Sequence, residues 1–276
     1  MKGRSVRNHR LPALFTLSLL LLGGSSVAQG QEITGDHRWM ELDNFLQDGE
    51  LIRSTWLELR GDYGDWGSGG TDSRVRGIAT FAVANRMEFG GTFGYLDRSR
   101  SEDQELFGER LAADLSNNGP DDVDVFAKLQ LKKGPHSWAA GLLVKFPTAD
   151  DGELLGSGAA DYGLFVANRR TRTRSALLWN ADVRFNGDPK PSGTGSGKTS
   201  AALGGGFLLK LSYSWTFLAE ARYESRRYDG GDVDFRITPT IDFRPTENLA
   251  LRLGVDIGLA DGAPHENYTF GFVFHL

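Results

Sequence analysis

Histidines that could act as general acids or bases are few in this chain. Beyond residue 28 the sequence has His37, His136, His265 and His275. A hydrolase or acyltransferase would need one of them beside a serine and a carboxylate at the same end of neighbouring strands. The strand pattern described below gives none of them such neighbours, so we predict no catalytic residues.

One segment, Ser192-Gly-Thr-Gly-Ser-Gly-Lys198-Thr199, has nearly the spacing of a phosphate-binding loop. That motif needs glycine at the position of Ser192 and a buried strand before it, because backbone amides must turn tightly around the phosphate. The turn-rich stretch 185–191 precedes it instead, which indicates an external loop. No spacing typical of metal ligands occurs, and the pair Asp150-Asp151 is interpreted as a solvated loop rather than a calcium site. We therefore predict no cofactor and no metal ion.

The elements that would position any site are strands. The last nine residues alternate strictly, and one face carries Tyr268, Phe270, Phe272, Phe274 and Leu276. An apolar face opposite a mixed face suits a strand between lipid and a lumen. The stretch resembles the C-terminal insertion signal of bacterial outer-membrane barrels, although that signal usually ends in Phe. The last strand of a soluble β-sandwich is the alternative.

Twelve alternating segments can be recognised after residue 50. They lie near residues 51–60, 73–84, 87–96, 122–132, 137–146, 160–168, 175–185, 200–211, 215–223, 233–243, 249–259 and 268–276. Each has close to the roughly 9 to 11 residues with which a tilted strand crosses a bilayer. Connections after even-numbered segments are short, whereas those after odd-numbered ones are longer, the longest being 97–121. This parity predicts an all-β fold, a transmembrane antiparallel β-barrel of about 12 strands over residues 50–276 with periplasmic termini.

The N-terminal residues have the composition of a targeting segment. Four basic residues precede the apolar run 11–22, and a small-residue site follows at Ser26-Val27-Ala28. We predict a signal peptide over residues 1–28, since the run is short for a membrane anchor. Its removal would take away Lys2, Arg4, Arg7 and Arg10 and change the net charge from -5 to -9. That acidic balance does not suit nucleic acid.

Residues 29–49 are polar and irregular, with scattered apolar points such as Trp39, Phe45 and Leu46. We predict a periplasmic lead-in or a plug in the lumen. The chain has no cysteine, so its stability must come from sources other than disulfides, and a closed barrel supplies it through complete strand pairing.

Charged residues alternate on inward positions near the external ends of several strands. They are Lys145, Asp161, Asp182, Arg184, Glu220, Arg222, Asp234 and Arg236. We predict that they form a selectivity region, with Lys145 opposite Asp161 and with cross-strand pairs between Glu220 or Arg222 and Asp234 or Arg236. Because the signs nearly balance, weak selection between anions and cations is expected. A network that only braces the barrel is the alternative.

Many inward positions are glycines, among them Gly90, Gly94, Gly141, Gly163 and Gly254. Small residues inside a barrel of twelve strands predict a narrow passage unless a plug fills it. The alternative is that these glycines only ease strand curvature.

The stretch Lys145-Phe-Pro-Thr-Ala-Asp150, followed by Gly156-Ser-Gly-Ala-Ala-Asp161-Tyr-Gly-Leu164, resembles a known family. This is the outer-membrane β-barrel family associated with the MetA pathway of phenol degradation. Its members carry a Lys-x-Pro-Thr-Gly-Asp stretch and then a Gly-rich segment closing on an Asp and an aromatic residue. Ala149 stands where the family usually has Gly. The resemblance covers about strands 4 to 12 and implies a transporter or channel for small, often hydrophobic or aromatic compounds.

Together these features predict a barrel of a Gram-negative bacterial outer membrane that lets small molecules cross passively, and no enzyme. The expected partners are outer-membrane lipid, a small-molecule solute and, through the C-terminal strand, the barrel assembly machinery. A structural or adhesive barrel with a closed lumen and a lipid-modifying barrel enzyme are the alternatives.

Overall fold

The computed structural model describes residues 48–51, 55–102, 104–190 and 195–276. The predicted signal peptide and residues 29–47 of the predicted lead-in lie outside the described residues. Fifteen strands are formed in this part of the chain. They are β1 (Trp56–Asp65), β2 (Gly70–Ala84), β3 (Met87–Arg100), β4 (Glu105–Leu106), β5 (Glu109–Arg110), β6 (Leu115–Pro120), β7 (Val123–Lys132), β8 (His136–Phe146), β9 (Asp161–Thr171), β10 (Ser175–Phe185), β11 (Thr199–Lys210), β12 (Trp215–Glu224), β13 (Asp234–Thr246), β14 (Leu249–Gly258) and β15 (Glu266–His275).

The strands other than β4 and β5, which form a separate hairpin, close into an antiparallel barrel with twelve positions. β1 pairs with both β2 and β15, and β2 also pairs with β3, so the sheet has no open end. β3 pairs with β7 through its first half and with β6 through its second half, so β6 and β7 share the fourth position. Complete pairing satisfies the backbone polar groups, as hydrocarbon surroundings require. The predicted fold class is therefore confirmed.

The connections differ at the two ends of the barrel. At one end the turns are short, as at 85–86, 133–135, 172–174 and 247–248. The first residue of β1 and the last residue of β15 also lie at this end. At the other end lie longer loops, including 147–160, 186–198 and 225–233. We refer to these as the periplasmic and external ends, following the usual arrangement of outer-membrane barrels.

The predicted first strand and the predicted longest loop were wrong. The first strand begins at Trp56 rather than near residue 51, because outward Leu57 lies opposite Phe274 and Tyr63 opposite Tyr268 in the seam with β15. The segment 97–121 is not all loop, because β3 continues to Arg100 and pairs there with β6. The connection between β1 and β2 is also a tight turn of residues 66–69 rather than a long loop.

The outward surface is apolar in the middle and aromatic near the external end. Leu253 in the middle of β14, for example, is 53% exposed, and many other outward apolar side chains are exposed as well. A water-soluble protein does not favour so many exposed apolar side chains together. The exposed aromatic residues toward the external side include Tyr63, Tyr95, Phe146, Tyr162, Phe185, Tyr223, Phe235 and Tyr268. At the periplasmic end, Trp138 packs on Trp179 at 5.0 Å between ring centroids, and Trp215 stacks on Phe243 at 4.5 Å. This pattern is the lipid-facing band and aromatic girdles of a transmembrane barrel.

A charge on this band should destabilise the folded protein according to its depth. We expect Leu253→Arg to lower the free energy of unfolding in lipid vesicles by about 2–4 kcal/mol, because the charge would lie near the bilayer midplane. Tyr162→Arg, near the external girdle, is the matched control and should cost about 0–1 kcal/mol. Equal effects in denaturant titrations would contradict the assigned membrane band.

Inward glycines make room for large neighbours more than for a passage. A Cβ on Gly141 would lie 2.4 Å from Phe165 and 2.3 Å from the carbonyl oxygen of Ala127, and a Cβ on Gly90 would lie 2.2 Å from Phe126. Both phenylalanines are buried. The inference of a passage from these two glycines was therefore wrong, because neighbouring rings occupy the space.

Candidate functional site in the external half of the lumen

A polar cavity of about 460 Å³ lies in the external half of the lumen. We call it the vestibule. Its wall consists mostly of charged side chains from the external parts of the strands and from the adjoining loops. Trp66, Phe107 and Tyr228, which lie in loops, add aromatic surface. The vestibule therefore combines a charged wall with an aromatic rim.

Lys145 is the centre of the first ion-pair cluster. Its Nζ lies 2.8 Å from Asp161 Oδ2 and 3.5 Å from Asp122 Oδ2, and it donates a hydrogen bond of 2.8 Å to Ser157 Oγ. The predicted cross-strand contact between Lys145 and Asp161 is present because β8 and β9 place these residues opposite each other. The other Asp161 oxygen accepts a hydrogen bond of 3.0 Å from the Gly187 backbone.

The motif residues around Lys145 hold the loop 147–160 in place. Thr148 Oγ1 accepts from the Val123 backbone amide at 3.0 Å, and Asp122 Oδ1 accepts from the Ala149 amide at 3.1 Å. A Cβ on Gly156 would lie 2.7 Å from the Ala149 Cβ and 2.9 Å from Asp122, so a side chain there has no room. The family-like motif thus has a structural role, because it folds this loop toward the lumen.

Asp182 and Arg222 form a second cluster across an intervening strand. Arg222 contacts Asp182 with both terminal nitrogens, at 2.9 and 3.2 Å, and it also lies 3.3 Å from Glu224. Between β10 and β12, β11 presents only Ala202 and Gly204 inward at this height. These small residues allow the guanidinium to reach across β11. Arg184 Nε is 3.3 Å from Asp182 but forms no hydrogen bond.

The predicted pairs between β12 and β13 were wrong. The register places Arg222 opposite Arg236 and Glu224 opposite Asp234, so like charges face each other. Arg236 therefore pairs along its own strand with Asp234, through a hydrogen bond of 2.7 Å from Nε. Glu220 lies deeper than the vestibule wall, opposite Thr238, and is only 2% exposed.

Six of the eight predicted residues line the vestibule. These are Lys145, Asp161, Arg184, Arg222, Asp234 and Arg236. Asp182 lies behind the wall, where it holds Arg222 and contacts Arg184, and Glu220 lies below. Their role in selectivity stays a prediction.

A second set of wall charges, on β1 to β3, was missed by the sequence analysis. Arg76 pairs with Asp62 at 2.5 Å, while Arg98 and Arg100 share Asp72 at 3.4 and 2.5 Å. The available signal was the spacing of these arginines: Arg74 and Arg76, like Arg98 and Arg100, lie two residues apart and therefore on one face of a strand. The partner Asp62 was missed because strand 1 was predicted to end at residue 60, and Arg98 and Arg100 were missed because β3 was predicted to end at residue 96.

The hairpin of β4 and β5 crosses the external mouth. Its tip is Phe107 and Gly108, both with positive φ. The ring of Phe107 packs edge-on against Tyr228, with centroids 5.9 Å apart, and its carbonyl accepts a hydrogen bond of 3.1 Å from the Gly195 amide. The hairpin leaves the barrel between positions three and four, whereas Tyr228 lies between positions nine and ten. The contact therefore joins opposite sides of the mouth. Burial raises the pKa of the Tyr228 phenol, so the hydroxyl stays protonated.

Two clusters of buried apolar residues lie in the periplasmic half of the lumen. Each member is at most 3% exposed. One contains Trp56, Ile78, Ala250 and Val273, and the other contains Ala176, Leu178, Leu208 and Leu218.

Residues 48–50, which precede β1, also lie in the periplasmic half of the lumen. Asp48 Oδ2 is 2.5 Å from a terminal nitrogen of Arg169, whose side chain is fully buried, and Glu50 contacts the same guanidinium at 3.5 Å. A Cβ on Gly49 would lie 2.7 Å from the Arg169 backbone nitrogen. Residues 48–50 therefore pack directly on the lumen wall of β9.

The other chemical motifs do not assemble into a site. The described part of the phosphate-loop-like segment, from Gly195, leads into strand β11 rather than a helix. Of the histidines, His136 starts β8, His265 lies in an external loop and His275 ends β15, while His37 lies outside the described residues. Within the described ranges, no group of three or more acidic or histidine side chains is arranged to hold a metal ion. No described helix is long and apolar enough to cross a membrane.

Comparisons with known proteins identify the fold. No family model matches the chain, and no curated protein matches it by sequence. The solved structure of the COG4313 outer membrane channel from Pseudomonas putida F1 is similar, with a TM-score of 0.61 and 14% identity, covering 86% of this chain and 100% of that one.

Two further structures are similar over most of this chain. The KdgM porin in complex with disordered oligogalacturonate has a TM-score of 0.53 and 12% identity, covering 80% of this chain and 99% of that one. The β-domain of the Bordetella autotransporter BrkA has a TM-score of 0.52 and 11% identity, covering 81% and 99%. Two channels and an autotransporter domain share this architecture, so these similarities identify an outer-membrane β-barrel fold without deciding its function.

Proposed function

We propose that this protein is a passive channel of a Gram-negative outer membrane that carries small solutes between its external vestibule and the periplasm. The observation that carries the proposal is the vestibule itself, a charged cavity of about 460 Å³ enclosed by a barrel without edges. A barrel that served only as a membrane anchor would have no need of a cavity of this size. Selectivity in such a channel comes from lumen width and lining charge, without a cofactor.

The solutes that fit this wall best are small and polar. The resemblance of the Lys145 to Leu164 stretch to the phenol-degradation family adds aromatic compounds as candidates. The similarity to a porin that binds oligogalacturonate adds acidic sugars. Such solutes would have to pass the buried apolar clusters of the periplasmic half, where residues 48–50 pack on β9.

An enzymatic role has weak geometric support. The nearest arrangement to a nucleophile with a base is Ser157 beside Lys145. Lys145 is also engaged by two carboxylates, and a charged lysine donates hydrogen bonds but cannot accept a proton from a serine. A channel therefore accounts for this cluster better than a hydrolase.

The proposed channel activity can be tested by swelling of liposomes that contain the folded protein. Sugars, amino acids and aromatic acids of increasing size should enter, with rates that fall as solute size increases. Protein-free liposomes are the control. If no solute enters liposomes containing the mature chain or liposomes containing a variant that lacks residues 30–48, the proposed channel activity is contradicted.

Reversing two wall charges should change ion selectivity. Arg184 and Arg236 are suitable because their side chains are 23% and 20% exposed, whereas Arg222 is buried and braces two carboxylates. We expect Arg184→Glu with Arg236→Glu to move the reversal potential in a salt gradient toward cation preference. Arg170→Glu with Arg174→Glu, two exposed positions at the periplasmic end, should leave it nearly unchanged. An unaltered reversal potential in the first variant would exclude these arginines from the ion path.

A further inference from the structure

The charges on the vestibule wall are arranged in sectors of alternating sign. Going around the barrel, the first sector comprises residues 56–100, with five arginines against two aspartates, a sum of +3. Its members are Arg60, Arg74, Arg76, Arg98, Arg100, Asp62 and Asp72. Counting Glu58, which is buried behind this wall and lies 2.8 Å from Arg60, leaves +2. The second comprises residues 115–171, with one lysine against four aspartates, a sum of -3. Its members are Asp121, Asp122, Asp124, Lys145 and Asp161.

The other half of the wall repeats the alternation. The third sector comprises residues 175–228, with a sum of +2 from Arg184, Arg222, Arg227 and Glu224. Counting Asp182, which is buried behind this wall, leaves +1. The fourth comprises residues 229–276, with a sum of -3 from Arg236, Asp232, Asp234, Asp256 and Asp261. All four sectors together sum to -1, so the net charge of the wall is nearly zero while its local fields are strong.

Part of this charge is already used within the wall, and part is available to a solute. Arg76 is held by Asp62, and Arg98 and Arg100 by Asp72. Arg184 is less well satisfied, because its nearest carboxylate is already engaged by Arg222 at two points and its Nε makes no hydrogen bond. Asp232 and Asp261 are exposed loop residues. Cations and carboxylates that can bind a solute thus occur in neighbouring sectors.

We infer that the vestibule selects dipolar solutes, small zwitterions such as amino acids, over neutral molecules and singly charged ions of the same size; this inference rests on the proposed channel function. A zwitterion can present its carboxylate to a positive sector and its ammonium to the adjacent negative sector at the same time. A singly charged ion is attracted by one sector and repelled by the next, and a neutral molecule gains from neither. Fields are stronger in a cavity with low-dielectric walls than on an open surface, so the difference should affect the entry rate.

The test uses pairs of isomers that differ in charge separation but not in composition. Glycine is a zwitterion and glycolamide is its neutral isomer; alanine and lactamide form a second pair. In liposomes containing the mature chain, and in parallel in liposomes containing the variant that lacks residues 30–48, glycine should enter several-fold faster than glycolamide, and alanine several-fold faster than lactamide. Equal rates for the two isomers would overturn the inference. Protein-free liposomes are the control, because neutral glycolamide also crosses lipid slowly by itself. Entry of either isomer above that control reports on the channel, so the absence of any such entry would instead contradict the proposed function.

A variant with weaker sectors and unchanged net charge separates the pattern from the total charge. Arg74→Gln, Arg184→Gln, Asp232→Asn and Asp261→Asn together remove two cations and two anions. The sector sums become +2, -3, +1 and -1, and the total remains -1. We expect the ratio of glycine to glycolamide entry to fall toward one, because only the zwitterion loses its paired attraction to adjacent sectors. If the ratio keeps its original value, the alternating sectors do not select the solute.

Discussion

Replacing Arg252 by methionine should lower the free energy of unfolding by about 3–5 kcal/mol. Arg252 is 1% exposed in the lumen, and its guanidinium lies 3.1 Å from Asp242 and 3.3 Å from Glu58. It therefore connects β14 with β13 on one side and with β1, across β15, on the other. Removing the cation leaves the buried Asp242 carboxylate uncompensated, whereas Glu58 keeps Arg60 at 2.8 Å. Loss of a buried partner costs much more than loss of a surface ion pair.

Two further variants separate the loss of the cation from a general packing defect. Arg252→Met combined with Asp242→Leu removes the uncompensated charge as well, and it should recover most of the lost stability. Arg170→Met changes an exposed arginine and should alter stability by less than about 0.5 kcal/mol. Denaturant titrations in lipid vesicles measure all three. A loss below about 1 kcal/mol for Arg252→Met would mean that the carboxylates find other partners.

Deleting residues 30–48 should produce a large increase in solute flux through the barrel. The deletion removes Asp48, which contacts the buried Arg169, and it frees the chain that packs on the backbone of β9. We expect swelling rates of liposomes to rise for every solute small enough to enter the vestibule. Asp48→Asn with Glu50→Gln keeps the segment but weakens its attachment, and should produce a smaller increase. Identical rates for the deletion and the mature chain would show that this segment does not block the lumen.

The barrel could be predicted from sequence wherever lipid imposes alternation. On β14, Leu249, Leu251 and Leu253 alternate with Ala250 and Arg252, and the strand was located within one residue of its observed end. Prediction failed where that constraint was absent. On β1, Trp56 shares its inward face with Glu58 and Arg60, so the apolar residue did not mark the lipid side.

The site was predictable in part of its composition and in one of its ion pairs. Strand direction was sufficient to bring Lys145 and Asp161 together, because they lie on adjacent strands joined by one loop. The contact of Arg222 with Asp182 skips a strand and depends on the small side chains of Ala202 and Gly204. Likewise, the register of β12 with β13, which places Arg222 opposite Arg236, follows from strand pairing that sequence alternation alone does not define.

Single-channel recording with a thiol placed inside the vestibule tests most directly whether solutes pass through this lumen. The chain has no native cysteine, and Leu143 lines the vestibule while its neighbour Leu142 is 52% exposed on the lipid side of β8. In the variant lacking residues 30–48, we predict discrete conductance steps that fall when a membrane-impermeant thiol reagent modifies Leu143→Cys, and that do not change with Leu142→Cys. The absence of steps, or steps that the modification of Leu143→Cys leaves unchanged, would contradict conduction through the barrel.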